Sequence, residues 1–155
     1  MDNHKVNYLG REAGNSLKGL LNLTEISNMN KRIILTGTVF GFIAVIFGAF
    51  GAHGLEGKIN DSSIENWKTA VNYQFYHTFA ILFLSTFSRA KNGLINFAYF
   101  AFVLGIFLFS GSLYLLSTRE ITGLSASFLG PVTPIGGLCF ILGWISLFVA
   151  TVRHK

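Results

Sequence analysis

The chain alternates long apolar segments with short polar ones, and four of the apolar segments are long enough to predict membrane-spanning helices. The first has no charged residue over eighteen positions. At about 1.5 Å per residue it reaches roughly 27 Å, close to the thickness of the hydrocarbon core of a bilayer. The pattern predicts an all-α integral membrane protein, an antiparallel bundle of four transmembrane helices. These helices cover approximately residues 33–50, 70–87, 95–116 and 135–152.

The polar residues before and between these segments divide the chain into two regions. Residues 1–28 are mixed polar and lack the basic start, apolar core and cleavage site of a secretory signal, so we expect a mobile cytoplasmic tail. Residues 29–155 are predicted to form the four-helix transmembrane domain. In the first polar link, Ser62 and Glu65 have the spacing of a capping box, which predicts the start of the second helix.

The composition indicates that the bilayer is the natural solvent of this fold. Hydrophobic residues make up 51% of the chain and charged residues 12%, with sixteen phenylalanines and a mean hydropathy of +0.51. An ordinary globular domain has about 25% charged residues. The expected partners are therefore the lipid bilayer and, within it, a membrane-protein partner or a second copy of the chain in a homo-oligomer.

The formal net charge of +5 comes from the flanks of the apolar segments. Nine of the twelve lysines and arginines lie before the first helix, in the 88–93 turn or at the C-terminus, and three lie in the links at 51–69 and 117–134. They form no basic stripe with interleaved aromatic residues, so we predict no nucleic-acid binding. Because cytoplasmic loops carry the excess of lysine and arginine, we expect both termini in the cytoplasm and the protein in the cell membrane, that is, the inner or plasma membrane.

The second predicted helix is the most polar of the four. An ionisable group at His77 would lie about 12 Å inside a span that starts near residue 69, where such groups are costly and often functional. A neutral histidine that hydrogen-bonds to a neighbouring helix satisfies the same physics. A structural role and a proton- or ligand-binding role therefore both stay open. The candidate polar intramembrane patch consists of Asn72, Tyr73, Gln74, His77 and Thr78.

A second candidate motif lies at the outer end of the first helix. His53 and Glu56 are spaced i, i+3, and they share a face able to bind a metal if the helix continues past Gly54. A metal site needs three or four ligands, however, and His77 lies about two helical turns deeper when the helices stand upright. We therefore predict no metal site and no cofactor. Adequate spacing for a catalytic triad or a phosphate-binding loop is absent, so no catalytic residue is predicted.

Small residues predict close packing of the helices. A Gly-x-x-x-Gly pair lets the backbone of another helix approach closely, although the pair is also common by chance in glycine-rich spans. We therefore interpret it as a sign of tight packing more than of dimerisation. The candidate packing positions are Gly37, Gly41, Gly48, Gly51, Gly136 and Gly137.

Three motifs that occur in order resemble a known family. The chain from about Met29 to Lys155 is similar to the domain of unknown function 423 family, which includes YgdD-type bacterial inner-membrane proteins and vertebrate transmembrane protein 256. The resemblance implies a four-helix membrane protein, and it transfers no catalytic residue because the family has no assigned activity. The motifs are Gly48-Ala-Phe-Gly-Ala-His-Gly-Leu55, then Trp67-Lys-Thr-Ala70 with Tyr73-Gln-Phe-Tyr-His77, and then Gly130-Pro-Val-Thr-Pro-Ile-Gly-Gly137 with Gly143-Trp144.

Three functions fit these observations. The favoured hypothesis is a non-enzymatic structural or accessory component of the membrane, because the polar groups suffice for packing. The alternative is a small permease or proton-linked carrier that uses the polar patch around His77. An intramembrane enzyme is the least favoured, since each outer link has fewer than twenty residues and leaves no room for a soluble catalytic domain.

Overall fold

The computed structural model describes residues 3–87, 93–123 and 129–153, and for residues 3–10, 13 and 22–29 it describes the backbone alone. Across these described ranges the chain is helical and contains no β-strand. Two π-helical turns, at Phe50–Gly54 and Ile106–Ser110, and a short 3-10 turn at Ser85–Phe87 extend the α-helices. The α-helices are α1 (Asn3–Ala49), α2 (Asp61–Leu84), α3 (Gly93–Gly105), α4 (Gly111–Ser117), α5 (Arg119–Thr122) and α6 (Val132–Arg153).

Within the part of the chain that the structure describes, three helical stretches are long and apolar enough to cross a membrane, and they contain three of the predicted spans. The prediction of an all-helical chain with membrane-length apolar helices is therefore confirmed. The fourth predicted span, 70–87, corresponds to α2 and the turn after it, and the polar residues of α2 keep its hydropathy lower. The three stretches are Asn30–Gly54, Gly93–Ser117 and Val132–Arg153.

α1 and α2 pack side by side in opposite directions, with glycines of α1 against large side chains of α2. A β-carbon added at Gly37 would lie 2.5 Å from Leu82, and one added at Gly51 would lie 2.5 Å from Trp67. Such distances are shorter than van der Waals contact, so an alanine at either position would push the neighbouring side chain away. The glycines thus set the spacing of this helix pair.

The α3–α4 rod, residues 93–117 including the π-helical turn, packs against α6 in the same antiparallel manner. The ring of Phe102 occupies the space beside Gly143, and the ring of Phe140 occupies the space beside Gly105. At Gly136 an added β-carbon would lie 2.4 Å from the backbone nitrogen of Phe109. The α6 backbone therefore lies directly against the π-helical turn. A residue larger than glycine at position 136 would prevent this close approach.

The start of α2 differs in detail from the predicted capping box. The N-cap is Asn60, whose Oδ1 accepts a hydrogen bond from the Ser63 backbone N–H at 2.8 Å. The Asn60 Nδ2 donates to Glu120 in α5, which ties the two polar links together. Glu65 pairs with Lys68 instead of reaching back to the helix start. The predicted Ser62 cap is wrong because a better-placed asparagine precedes it.

α1 extends much farther towards the N-terminus than the predicted first span. That span begins at residue 33, whereas α1 begins at Asn3 and has 47 residues, about 70 Å of helix. The apolar pattern identifies the part of a helix suited to lipid and gives no signal for its polar continuation. The expected mobility of residues 1–28 stays a prediction. The predicted turn at 88–93, except for Gly93, and the last two residues lie outside the described residues.

Candidate functional site

Gln74 lies where three helices meet, and its side chain is only 2% exposed. Its Nε2 donates to the Phe40 carbonyl of α1 at 2.8 Å, and its Oε1 accepts from the Tyr114 hydroxyl of α4 at 2.9 Å. A buried amide is costly unless both its donor and its acceptor find partners. Gln74 meets that requirement with one bond to each neighbouring helix, so it links α1, α2 and α4.

His77 links α2 to α6. Its Nδ1 lies 2.8 Å from the Tyr73 carbonyl oxygen, and the Trp144 Nε1 donates to its Nε2 at 3.3 Å. A carbonyl oxygen can only accept and an indole N–H can only donate, so the proton must be on Nδ1 and the lone pair on Nε2. Both hydrogen bonds select the same neutral tautomer. In this geometry His77 is therefore uncharged, and its ring joins α2 to α6.

A groove of about 740 Å³ runs beside His77 between α2 and α6. Its inner surface is aromatic, and the His77 ring stacks on Phe140 with 3.4 Å between ring centroids and 5° between planes. Tyr73 stacks on Phe109 with centroids 4.5 Å apart. Trp144 also lines the groove. His77 is the only buried ionisable side chain of the predicted patch, and it thus forms part of a groove of ligand size.

The five residues of the predicted polar patch face in three directions. Gln74 and Thr78 point into the core, and Tyr73 and His77 border the groove. Asn72 is exposed and lines a smaller cavity of about 210 Å³ beside α1. The structure therefore brings four of the five residues into the protein interior or the groove and places Asn72 on the outside.

Two buried hydroxyls have no hydrogen-bond partner among the described residues. They are Thr78 Oγ1 and Ser110 Oγ, and both residues are at most 1% exposed. Each is one helical turn from a member of the Gln74–Tyr114 pair, since Thr78 is four residues after Gln74 and Ser110 is four residues before Tyr114. The antiparallel helices therefore place the two hydroxyls on the same level of the core.

The outer-face motif is not assembled as a site. α1 and its π-helical turn end at Gly54, so Glu56 lies in the following turn, and both His53 and Glu56 are exposed. No cluster of three or more His, Cys, Asp or Glu occurs in the part of the chain that the structure describes. On the same side, the side-chain hydrogen bond with Glu65 raises the pKa of Lys68, and this exposed pair contributes little to stability.

Sequence reasoning missed the role of Tyr114. Besides its bond to Gln74, its ring packs against Trp67 and Phe47 with centroid distances of 4.6 and 4.7 Å. The Trp67 Nε1 also donates to the Phe47 carbonyl at 2.8 Å. A signal was available, because Ser110, Tyr114 and Ser117 recur at helical spacing in an otherwise apolar segment.

Comparisons with known proteins find similar sequences among named membrane proteins. The sequence model of a family described as "Protein of unknown function (DUF423)" matches residues 47–137. A UPF0382 membrane protein of Staphylococcus haemolyticus is 42% identical over 79% of this chain and 97% of its own length. The UPF0382 membrane protein YwdK of Bacillus subtilis is 41% identical over 80% of this chain and 98% of its own length. No solved structure matches the chain.

Proposed function

Since the chain belongs to the DUF423 family of unknown function and its relatives are named membrane proteins, we propose that it is a four-helix membrane protein with a structural or accessory role and no catalytic activity. The observation that carries this proposal is the use of its buried polar side chains. Gln74, His77 and Ser146 each form a hydrogen bond to another helix. Polar groups used in this way hold membrane helices together.

The fourth crossing is supported by the position of α2 against α1. Leu82 contacts Gly37 near one end of the first apolar stretch and Trp67 contacts Gly51 near its other end, so α2 runs alongside α1 over that length. If α1 crosses the bilayer, α2 crosses at the same depth. The polar side chains that lower its hydropathy include Gln74 and His77, which are buried in the protein.

Four crossings place both termini on one side of the membrane, and the distribution of lysine and arginine favours the cytoplasm. The test is a pair of fusions, one at each terminus, with a reporter that fluoresces only in the cytoplasm and, separately, an enzyme that is active only outside. We expect cytoplasmic signals from both ends. Termini on opposite sides would indicate three crossings and overturn the four-helix arrangement.

An accessory role predicts a protein partner. We expect crosslinking in the native membrane, followed by gentle detergent extraction of the tagged chain, to recover a second membrane protein or a second copy in a fixed ratio. The Gly51→Leu variant, which cannot keep the contact of α1 with Trp67, serves as the misfolded control. A solitary, monodisperse species from the unsubstituted chain would count against an accessory role.

A proton-linked carrier is the second candidate, favoured by the position of buried His77 at the edge of the groove. It predicts that His77→Ala abolishes proton or solute flux in reconstituted vesicles while the chain stays folded. The structural role predicts instead a loss of thermal stability with flux unchanged from that of empty vesicles. His77→Asn retains a hydrogen-bonding side chain without the ionisable ring. It therefore separates the carrier role, which needs the ionisable ring, from the structural role, which needs the hydrogen bonds.

A further inference from the structure

We propose that the groove between α2 and α6 binds a bilayer-soluble molecule with a planar ring that carries carbonyl or hydroxyl oxygens, the chemical class to which quinones belong. This inference is independent of the structural role proposed above. It rests on the size of the groove, the orientation of its rings, its polar atoms and the surface on which it opens.

The size of the groove fits a small molecule. Its volume of about 740 Å³ lies within the range of roughly 300–1,000 Å³ that is typical of ligand sites. Such sites are lined mostly by apolar and aromatic side chains with a few polar groups that fix orientation. The lining here has the same character, since Leu138 and Ile141 stand beside Tyr73, His77 and Trp144.

The orientation of the rings selects a flat ligand. The ring of Tyr73 is inclined by 30° to His77 and by 34° to Phe140, while His77 and Phe140 are inclined by only 5° to each other. The His77 and Phe140 rings are therefore parallel, and the Tyr73 ring is turned from them by 30° and 34°. Aromatic rings favour offset stacking, so a planar ring that enters beside Tyr73 continues an existing stack.

The polar atoms of the groove select oxygen on that ring. Among the described residues, the hydroxyls of Tyr73 and Tyr76 have no hydrogen-bond partner, and both side chains line the groove. These two hydroxyls can donate to a carbonyl oxygen or accept from a hydroxyl group of the ligand, whereas the Trp144 N–H and the His77 Nε2 already pair with each other. In hydrocarbon an unpaired hydroxyl is costly, which favours a ligand that supplies partners.

The groove opens on the face of the molecule that suits lipid. Tyr76 is 59% exposed, and the α6 residues at the rim, Leu138 and Ile141, are also exposed. α6 is one of the three stretches able to span a membrane, so its exposed apolar face meets acyl chains. A ligand therefore enters from the bilayer, which requires a lipid-soluble molecule.

The experiment measures binding of duroquinone to the purified full chain in lipid nanodiscs. Trp144 lines the groove and Trp67 lies outside it, so the Trp144→Phe variant reports quenching that is caused by partitioning alone. We expect duroquinone to quench the tryptophan fluorescence of the unsubstituted chain in a saturable way. Half of that quenching should occur at a duroquinone concentration about tenfold lower than the concentration at which quenching of Trp144→Phe becomes measurable. We also expect saturating duroquinone to raise the melting temperature by about 5 °C.

Position 137 gives the matched variants. A β-carbon added at Gly137 would have the Phe109 ring at 3.9 Å as its nearest neighbour, so Gly137→Ala fits and should keep both effects. Gly137→Leu fills the groove and should remove them while the chain still melts cooperatively. Equal, non-saturable quenching in all variants would overturn the proposal. A melting shift caused by added phosphatidylcholine but not by duroquinone would assign the groove to an acyl chain and overturn it as well.

Discussion

The Tyr114 hydroxyl donates a hydrogen bond to Gln74 Oε1 over 2.9 Å, and the Gln74 amide in turn donates to the Phe40 carbonyl over 2.8 Å. This chain of two bonds crosses three helices in the buried centre of the bundle. Loss of the Tyr114 hydroxyl would leave Gln74 Oε1 without a donor, and loss of Gln74 would leave the Tyr114 hydroxyl without an acceptor. The arrangement gives a direct measure of what polar packing contributes to this fold.

Removal of the Tyr114 hydroxyl tests that contribution. Tyr114→Phe keeps the ring against Trp67 and leaves Gln74 Oε1 without a donor, which should lower the free energy of unfolding by about 1 kcal/mol. The measurement is denaturant-induced unfolding in detergent micelles. Tyr76→Phe is the matched control, because Tyr76 is exposed and should change stability by less than about 0.5 kcal/mol. Equal losses in the two variants would contradict the role of the bond.

Two neighbouring glycines of α6 should respond differently to alanine. Gly136→Ala places a methyl group 2.4 Å from the Phe109 backbone nitrogen. Backbone cannot rotate away as a side chain can, so we expect a loss of about 2 kcal/mol or more. Gly137→Ala meets only ordinary contacts at 3.9 Å and should be neutral within about 0.5 kcal/mol. Thermal unfolding of both variants checks the difference, and equal melting temperatures would show that α6 does not approach the π-helical turn this closely.

The glycine positions illustrate how far the sequence can predict the fold. Small residues such as Gly37 and Gly51 predict close approach of two helices, and in the structure these two lie beside large side chains of α2. The sequence could not say that their partners are Leu82 and Trp67, since partner and register depend on how two helices align. For Tyr114 the helical spacing of polar residues was a signal, but the identity of its partner Gln74 depends on the same alignment.

The polar patch illustrates a different limit. Asn72 and Gln74 are two residues apart, which separates them by about 200° around a helix, so they cannot both face one neighbour. Composition alone grouped them, whereas the helical period separates Asn72 from Gln74 and Thr78. The α2 cap shows local ambiguity instead, because Asn60 and Ser62 are both good capping residues and only the three-dimensional turn selects the first.

Alanine substitutions at two buried serines should change the stability of the fold in different directions. Ser146 Oγ donates to the Leu94 carbonyl at 2.8 Å and so links α6 to α3, and its replacement by alanine should cost about 1 kcal/mol. Ser110 Oγ is buried without a partner among the described residues, so Ser110→Ala removes an unpaired hydroxyl and should leave stability unchanged or raise it by up to about 1 kcal/mol. Melting temperatures of the two variants give the signs. A clear loss in Ser110→Ala would mean that this hydroxyl is hydrogen-bonded in the membrane.

The tautomer of His77 can be observed directly. The structure requires the proton on Nδ1, facing the Tyr73 carbonyl, and the lone pair on Nε2, facing the Trp144 indole. Solid-state nitrogen NMR of histidine-labelled protein in lipid distinguishes protonated from unprotonated ring nitrogens, and His77→Asn identifies which resonance belongs to this residue. We expect a protonated Nδ1 and an unprotonated Nε2. In Trp144→Phe the Nε2 loses its donor, so its resonance should shift while Nδ1 stays bonded to the backbone. A proton on Nε2 in the unsubstituted chain would break the contact with Trp144, since two donors cannot pair, and α2 and α6 would then have to be joined in another way.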